Sequence, residues 1–336
     1  MAARPTMNDV ARTAGVSLKT VSRVVNGETT VAPDLAARVQ AAVTTLNYRP
    51  HIGASMLRRN DRRTRTIGVL LEDVGNPFSA ALHRAIEDEA RLHGVQVLIG
   101  SVDEDPQRER ELAGAFTQRH ADGLIIAPSG EDQGYLESLS DIPVVYVDRP
   151  GNGYDGDAVL ATNISGSRDA VRHLVAGGHR RIAYLGDDAG IATARARHRG
   201  FLAALAATSL TPHTVRHLRH SSLAESATLA LFDRPEPPTA LFTSQNLITI
   251  GAFRALRRLR LHTRVALVGF DDFPLADLLQ PAVTVVAQDP TTMGRTAARA
   301  LFERIDGADG PPREFWIPTK LIERGSGEIP PPALRA

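Results

Sequence analysis

The chain has 336 residues, 43% of them hydrophobic, with 39 basic and 38 acidic side chains and a formal net charge of +1. That length predicts two or three domains with a full apolar core. Cysteine is absent, which excludes disulfides, thiolate metal centres and a cysteine nucleophile. No apolar run is long enough to span a bilayer, and Met1 leads straight into helix signals without the apolar stretch of a secretory leader, so no membrane association and a cytoplasmic location are expected.

Charge is distributed unevenly. Residues 1–65 hold eleven Lys and Arg against four Asp and Glu, a net +7, which leaves −6 on the remainder. A basic head on an acidic body is the footprint of a protein that meets phosphate at one end only.

Residues 6–26, TMNDVARTAGVSLKTVSRVVN, have the pattern of a helix-turn-helix. Thr6 and Asp9 are spaced to cap a first helix. Gly15 permits the turn and Ser17 caps a second helix. Val21, Val24 and Val25 fall at i, i+3 and i+4 and pack inward, leaving Leu18, Lys19, Thr20, Ser22 and Arg23 facing out. A short helix with that outer face suits the DNA major groove, where side chains near its N-terminus meet base edges. A third helix starts at Pro33 and Asp34, with Ala32 a poor cap and Leu35, Val39, Ala42, Val43 and Leu46 as its stripe. Residues 52–58 are expected to form one or two helical turns, too short to persist alone in water, followed by a charged linker over 59–66.

From residue 67 short apolar runs alternate with amphipathic stretches: 67–71, 95–100, 123–127, 143–147, 181–186, 239–243, 264–270 and 283–287. Runs apolar on both faces, spaced by helix-length segments, indicate parallel strands in α/β units. Leu82, Ala85, Ile86 and Ala90 make one helical stripe; Val171, Leu174 and Val175 make another. Two sets of strands indicate two doubly wound subdomains, with a crossover near 154–163 and a return near 288–292. The expected divisions are a helix-turn-helix domain over 1–49, a hinge helix and linker over 50–66, and a body over 67–330. Within the body, the N-subdomain takes about 67–163 plus 292–320 and the C-subdomain about 164–291.

In open α/β sheets, ligands bind beyond the carboxyl ends of the strands. After the runs come Asn76-Pro77-Phe78, Ser101 with Asp103, Asp148-Arg149, Asp187-Asp188, Ser244-Gln245-Asn246 and Asp271-Asp272-Phe273. Any one of these is as readily a helix cap, but together they describe a polar cleft between two lobes. Carboxylates, one or two arginines and an aromatic plate suit a polyhydroxylated ligand such as a sugar. Thr193 and Arg197, four apart on one helix face, point into the cleft together.

These motifs resemble the LacI-type family of transcriptional regulators over nearly the whole chain. The matching features are the DVA-x-x-AGVS-x-x-TVSRVVN head, Tyr48-Arg49-Pro50 with Leu57, Asn76-Pro77-Phe78, Asp148-Arg149, Arg197-x-x-Gly200-Phe201, Gly269-Phe270-Asp271-Asp272 and the stretch 284–288. The resemblance implies an all-α helix-turn-helix head on a periplasmic-binding-protein-like α/β body. It implies that Leu18, Lys19 and Arg23 read bases, that Thr6, Ser17, Thr20, Ser22 and Asn26 hold phosphates, and that Leu57 wedges into the minor groove from a hinge helix that folds on DNA. It implies effector contacts from Phe78, Asp148, Arg197 and Asp271, to which Arg149, Thr193 and Gln245 are added by their places at strand ends and on the helix face. A homodimer on double-stranded operator DNA, repressing transcription under control of a sugar-like effector, follows from it. No cofactor is expected.

The chain departs from the family's pattern at several positions. His51 stands where Asn or Ser is usual, and Gly53 weakens the hinge helix by about 1 kcal/mol against Ala. Ser79 replaces a common second aromatic. Gln245-Asn246 replaces an Asn-Asp pair and removes one carboxylate from the expected sugar contacts. The tail GSGEIPPPALRA lacks the leucine heptads of a tetramer-forming extension.

Other classes fit less well. G-x-S-x-G, the P-loop signature and G-x-G-x-x-G behind a strand are all absent, so an enzyme is not expected. His213, His217 and His220 raise a metal site, but 214–218 alternates like a strand, and at about 3.3 Å per residue His213 and His217 lie too far apart to share an ion. A sugar-binding sensor or solute-binding protein without a DNA role would share the cleft but has no use for residues 6–58.

Overall fold

A computed structural model describes residues 5–25, 28, 30–48, 63–139 and 142–332. The chain divides into two compact units, Met1–Thr64 and Arg65–Ala336.

The first unit contains helices α1 (Met7–Ala14), α2 (Leu18–Val25) and α3 (Pro33–Thr45). A reciprocal capping box starts α1: the Asp9 amide donates to Thr6 Oγ1 at 3.3 Å and the Thr6 amide donates to Asp9 Oδ2 at 2.9 Å. Gly15 ends α1 with φ of 61°, a backbone that other residues resist. Arg38 reaches from α3 and donates to the Ala14 carbonyl at 2.6 Å, satisfying a helix-end group that would otherwise lack a partner. Val10, Ala14, Val21, Val39 and Ala42 form the core, with Val24, Val25, Val43 and Leu46 packed around it. Ala32 makes no side-chain cap, and Pro33 at the first turn starts α3 instead. The hinge turns expected over 52–58, and with them Leu57, lie outside the described residues, as does Asn26.

The second unit holds two six-stranded sheets. The first comprises β1 (Thr66–Leu71), β2 (Gln96–Ser101), β3 (Leu124–Ile126), β4 (Val144–Val147), β5 (Asp157–Ala161) and β11 (Glu314–Ile317), all parallel, in the order β11-β5-β4-β3-β1-β2. Helices α4 (Pro77–Leu92), α5 (Pro106–Gln118) and α10 (Pro290–Ile305) cover it. The second comprises β6 (Ile182–Leu185), β7 (His213–Val215), β8 (Ala240–Thr243), β9 (Ala266–Phe270), β10 (Thr284–Ala287) and β12 (Lys320–Ile322), in the order β12-β10-β9-β8-β6-β7. It is parallel except for β12, which runs antiparallel to β10. Helices α6 (Asn163–Ala176), α7 (Ala192–Ala206), α8 (Ser221–Phe232) and α9 (Asn246–Arg258) cover it. Gly200 lets α7 close on α6: a Cβ there would sit 2.4 Å from the Ile164 carbonyl oxygen.

The central strands are buried on both faces, which is why they read as unbroken apolar runs. In each sheet the strand order reverses once, at β1/β3 and at β6/β8, and loops diverge there to leave a crevice. The chain passes between the sheets three times: at Thr162, between β10 and α10, and between β11 and β12. The first and third passages are tied by the Thr319 amide donating to Thr162 Oγ1 at 2.9 Å. The third was not expected from the sequence; it assigns 320–322 to the second sheet.

Candidate DNA-reading face and effector cleft

Within the head, α2 presents Leu18, Lys19 and Arg23 to solvent, with Thr20 and Ser22 half-buried beside them. Ser17 Oγ accepts from the Thr20 amide at 3.1 Å and lies 2.9 Å from Thr20 Oγ1, so the cap uses two of the expected phosphate ligands to build the helix start. Thr6 likewise caps α1 and also donates its hydroxyl to Asp9 Oδ2 at 2.7 Å. Leu18 is 41% exposed, an apolar side chain with no place in the core. Arg23 Nε lies 3.4 Å from Glu28 Oε2. Both partners are about half exposed, so the pair is weak and does not lock the guanidinium.

In the body, the ends of β1, β4, β6, β8 and β9 converge on a cavity. Phe78, Asp148, Arg149, Thr193, Arg197, Gln245 and Asp271 all line it. Asp148 and Asp271 occupy corresponding places, one residue past β4 and β9, with left-handed φ of 66° and 68°. Each donates its amide to the neighbouring strand, Asp148 to Val159 O and Asp271 to Val286 O, both at 2.9 Å. Asp is among the few side chains that tolerate this backbone, and the twist turns both carboxylates inward.

Arg197 is 5% exposed and makes three hydrogen bonds through Nε and Nη1. Its Nε donates to Asn163 Oδ1 at 2.7 Å; Nη1 donates to the Ser244 carbonyl at 2.7 Å and to Asp271 Oδ2 at 3.0 Å. The guanidinium lies 4.0 Å from the centre of the Phe270 ring. Gln288 Nε2 donates to the other oxygen of Asp271 at 2.7 Å. Arg149 is directed elsewhere: both Nη atoms donate to Glu104, and Nη1 also donates to the Pro128 carbonyl at 2.9 Å. Glu104 reaches it from a turn in which Asp103 and Glu104 are both left-handed. Gln245 Nε2 donates to Asp187 Oδ2 at 2.7 Å. Asn76 and Asn246, both buried, exchange amide hydrogen bonds of 3.3 and 2.9 Å and join the two lobes across the crevice.

The electrostatics are acidic. Five carboxylates (Glu72, Glu104, Asp148, Asp187, Asp271) face two guanidiniums. Burial pushes Glu72 up to about 7, reinforced by the charge of Glu104. Burial also raises Asp148, against the pull of Arg149 and Arg197, and raises Asp187. Asp148 Oδ1 and Gln288 Oε1 are buried acceptors that find no donor among the described residues.

Glu72 and Glu104 were not singled out from the sequence, although the rule that flagged Asp148 applies: they follow β1 and β2. Asn163 was masked by its place at a helix start. The histidine trio does not assemble: His213 Nε2 lies 2.8 Å from Arg234 and His217 Nδ1 lies 3.1 Å from Asp188. A different group, His173 with Glu323 and Glu328, comes together instead. It offers Nε2 to Glu328 at 2.7 Å and Nδ1 to Glu323 at 3.7 Å. Two ring nitrogens facing two acids describe a clamp rather than a shared ion.

A ribose operon repressor of Halalkalibacterium halodurans is 32% identical over 95% of this chain and 96% of its own. The HTH-type transcriptional regulator PtxS of Pseudomonas plecoglossicida is 34% identical over 97% and 96%. The lacI family of bacterial regulatory proteins matches residues 6–51, and a periplasmic binding protein-like domain matches 171–327. The chain belongs to the LacI family. It is accordingly a DNA-binding transcriptional regulator. The fold of this LacI-family chain also matches the lac repressor dimer bound to operator and the anti-inducer ONPF, at 25% identity and a TM-score of 0.83, over 97% of this chain and 99% of that one. No described helix is long and apolar enough to cross a membrane.

Proposed function

We propose that the chain represses transcription as a homodimer on a two-fold symmetric operator and that a small polyhydroxylated effector in the body cleft sets its affinity for DNA. Leu18, Lys19 and Arg23 read base edges; Thr6, Ser17, Thr20, Ser22 and Asn26 contact phosphates, and Leu57 enters the minor groove. Phe78, Asp148, Thr193, Arg197, Gln245 and Asp271 hold the effector, with Arg149 orienting Asp148 from the side. The observation that carries the ligand half is the Asn163–Arg197–Asp271–Gln288 chain of hydrogen bonds, which joins side chains from two of the three crossovers, a strand end and a helix and places Arg197, Asp271 and Gln288 on the lining of the cavity. Such a preset array fixes hydroxyl groups in direction and suits a sugar or sugar derivative.

The test selects DNA from a random pool with the full chain, then measures binding of the selected site by anisotropy with sugars and polyols added one at a time. Symmetric half-sites and a compound that shifts the affinity are expected, with Asp271→Asn blunting the shift and sparing DNA binding. Failure to enrich any sequence would leave a ligand sensor without a DNA role.

A further inference from the structure

We infer that the effector carries a protonated amine on its polyhydroxyl frame. The inference rests on the reading of the cleft as the effector site and names the chemical class that site selects.

Each cationic side chain of the cleft already holds a carboxylate. Arg149 gives both Nη atoms to Glu104, and Arg197 pairs with Asp271 at 3.0 Å through Nη1, which also donates to the Ser244 carbonyl while Nε donates to Asn163. Subtracting these two pairs leaves Glu72, Asp148 and Asp187 around the same cavity with no guanidinium hydrogen-bonded to any of them. Glu72 makes no ion pair among the described residues. Asp148 lies 3.7 Å from Arg149 Nε, beyond hydrogen-bond reach, and its Oδ1 has no donor. Asp187 takes only neutral donors, Gln245 Nε2 and the Asp188 amide, both at 2.7 Å.

Burial raises all three acids and the charge of Glu104 adds to each, against the pull of Arg149 on Glu72, of Arg149 and Arg197 on Asp148, and of Arg219 on Asp187. Like charges held in one desolvated space are relieved either by taking up protons or by receiving a cation. A ligand ammonium does the second, bringing three donors to a space whose carboxylates outnumber its guanidiniums. A carboxylate or phosphate on the ligand would meet the opposite outcome: it would add charge of the sign already in excess, five carboxylates against two guanidiniums. A neutral hydroxyl is accepted but leaves the excess uncompensated.

The test uses the full chain and matched ligand sets in calorimetric titration and thermal shift: D-glucose, D-glucosamine and D-gluconate; D-galactose, D-galactosamine and D-galacturonate; D-ribose, 1-amino-1-deoxyribitol and D-ribonate. Within the set whose frame fits, the amine is expected to bind at least about tenfold tighter than the neutral member, the size of one charge-assisted hydrogen bond over a neutral one. The acid is expected to show no binding. Asp148→Asn should remove most of the amine's advantage, read as the ratio of amine to neutral affinity falling to within about threefold of one. A neutral or acidic member binding as tightly as its amine would overturn the inference and leave the polyol site standing. Absence of binding by every member would instead count against the polyol reading itself, and the inference would fall with it.

Discussion

Replacing Asp271 with Asn tests whether the Arg197 array is the organising feature of the cleft. The substitution keeps shape and removes charge. Asp271 now accepts from Arg197 Nη1 on one oxygen and from Gln288 Nε2 on the other. Asn presents one oxygen and one NH₂, so Arg197 keeps an acceptor only with the oxygen turned to it, and Gln288 must then turn its amide to accept from the NH₂. Breaking a buried pair from one side costs about 3–5 kcal/mol when the remaining charge is left alone. Arg197 is not left alone: it keeps Asn163 Oδ1 and the Ser244 carbonyl and still lies over Phe270. The expected loss is therefore at the low end, about 2–3 kcal/mol. The chain's single tryptophan is Trp316, on β11 of the body. Its fluorescence in urea thus follows the body without a signal from the head. A double-mutant cycle with Arg197→Met should return a coupling of about 1–3 kcal/mol. A loss below about 0.5 kcal/mol, with additive effects of the two changes, would refute the reasoning.

Further outcomes follow from the same structure. Arg23→Ala should weaken specific DNA binding by about 1–3 kcal/mol and relax preference at one base position; equal losses on selected and random DNA would make Arg23 a phosphate contact. Asp157 is fully buried and accepts from both Arg304 and Arg313. Burial alone would raise it, but these bonds outweigh burial and hold it at about 2 against the ordinary 3.8. A depressed carboxyl stabilises above its unfolded value, so about 2 kcal/mol of body stability should disappear as pH falls from about 4 to 2, and Asp157→Asn should flatten that part of the urea midpoint profile. Sedimentation at micromolar protein should show a dimer with or without DNA, because symmetric half-sites need two heads; a monomer in both conditions would count against the operator reading.

The parts legible in the sequence were those with a local cause. The capping box at Thr6 and Asp9, the left-handed Gly15 and the valine seam each depend on residues within four positions, and all three are in the structure. The central strands were legible because burial on both faces leaves nothing polar in them. The edges were not: β11 alternates exposed and half-buried residues, β7 is only half-buried, and β5 follows a Gly- and Asp-rich stretch without a long apolar run. Missing β11 and β12 hid the third passage between the lobes. The cleft residues were visible by their place after strands, but their pairing was not. That Arg149 turns to Glu104 and Asn246 to Asn76 depends on atoms 45 and 170 positions apart in the chain.

Those long-range pairings bear on how a ligand could act. The lobes are separate cores, each with its own sheet and helices. Across the cleft they are joined by the Asn76–Asn246 exchange and by Arg195 on α7, which lies 3.7 Å from Glu131 at the rim. The amide exchange is worth about 1–3 kcal/mol and the exposed ion pair less than about 1. Two lobe arrangements separated by so little are both within reach of an effector. A ligand gaining two or three hydrogen bonds in one arrangement and not the other, at about 1 kcal/mol each, shifts their ratio by one to two powers of ten. Asn246 supplies one donor and one acceptor to that exchange. With Asp there, one of the two amide bonds would be lost and the acidic cleft would gain a further charge. Asn246→Asp should therefore weaken the joined arrangement and widen the effector's range of control, read as a larger ligand-dependent change in DNA affinity; an unchanged ratio would show that the lobes are held by something other than this pair.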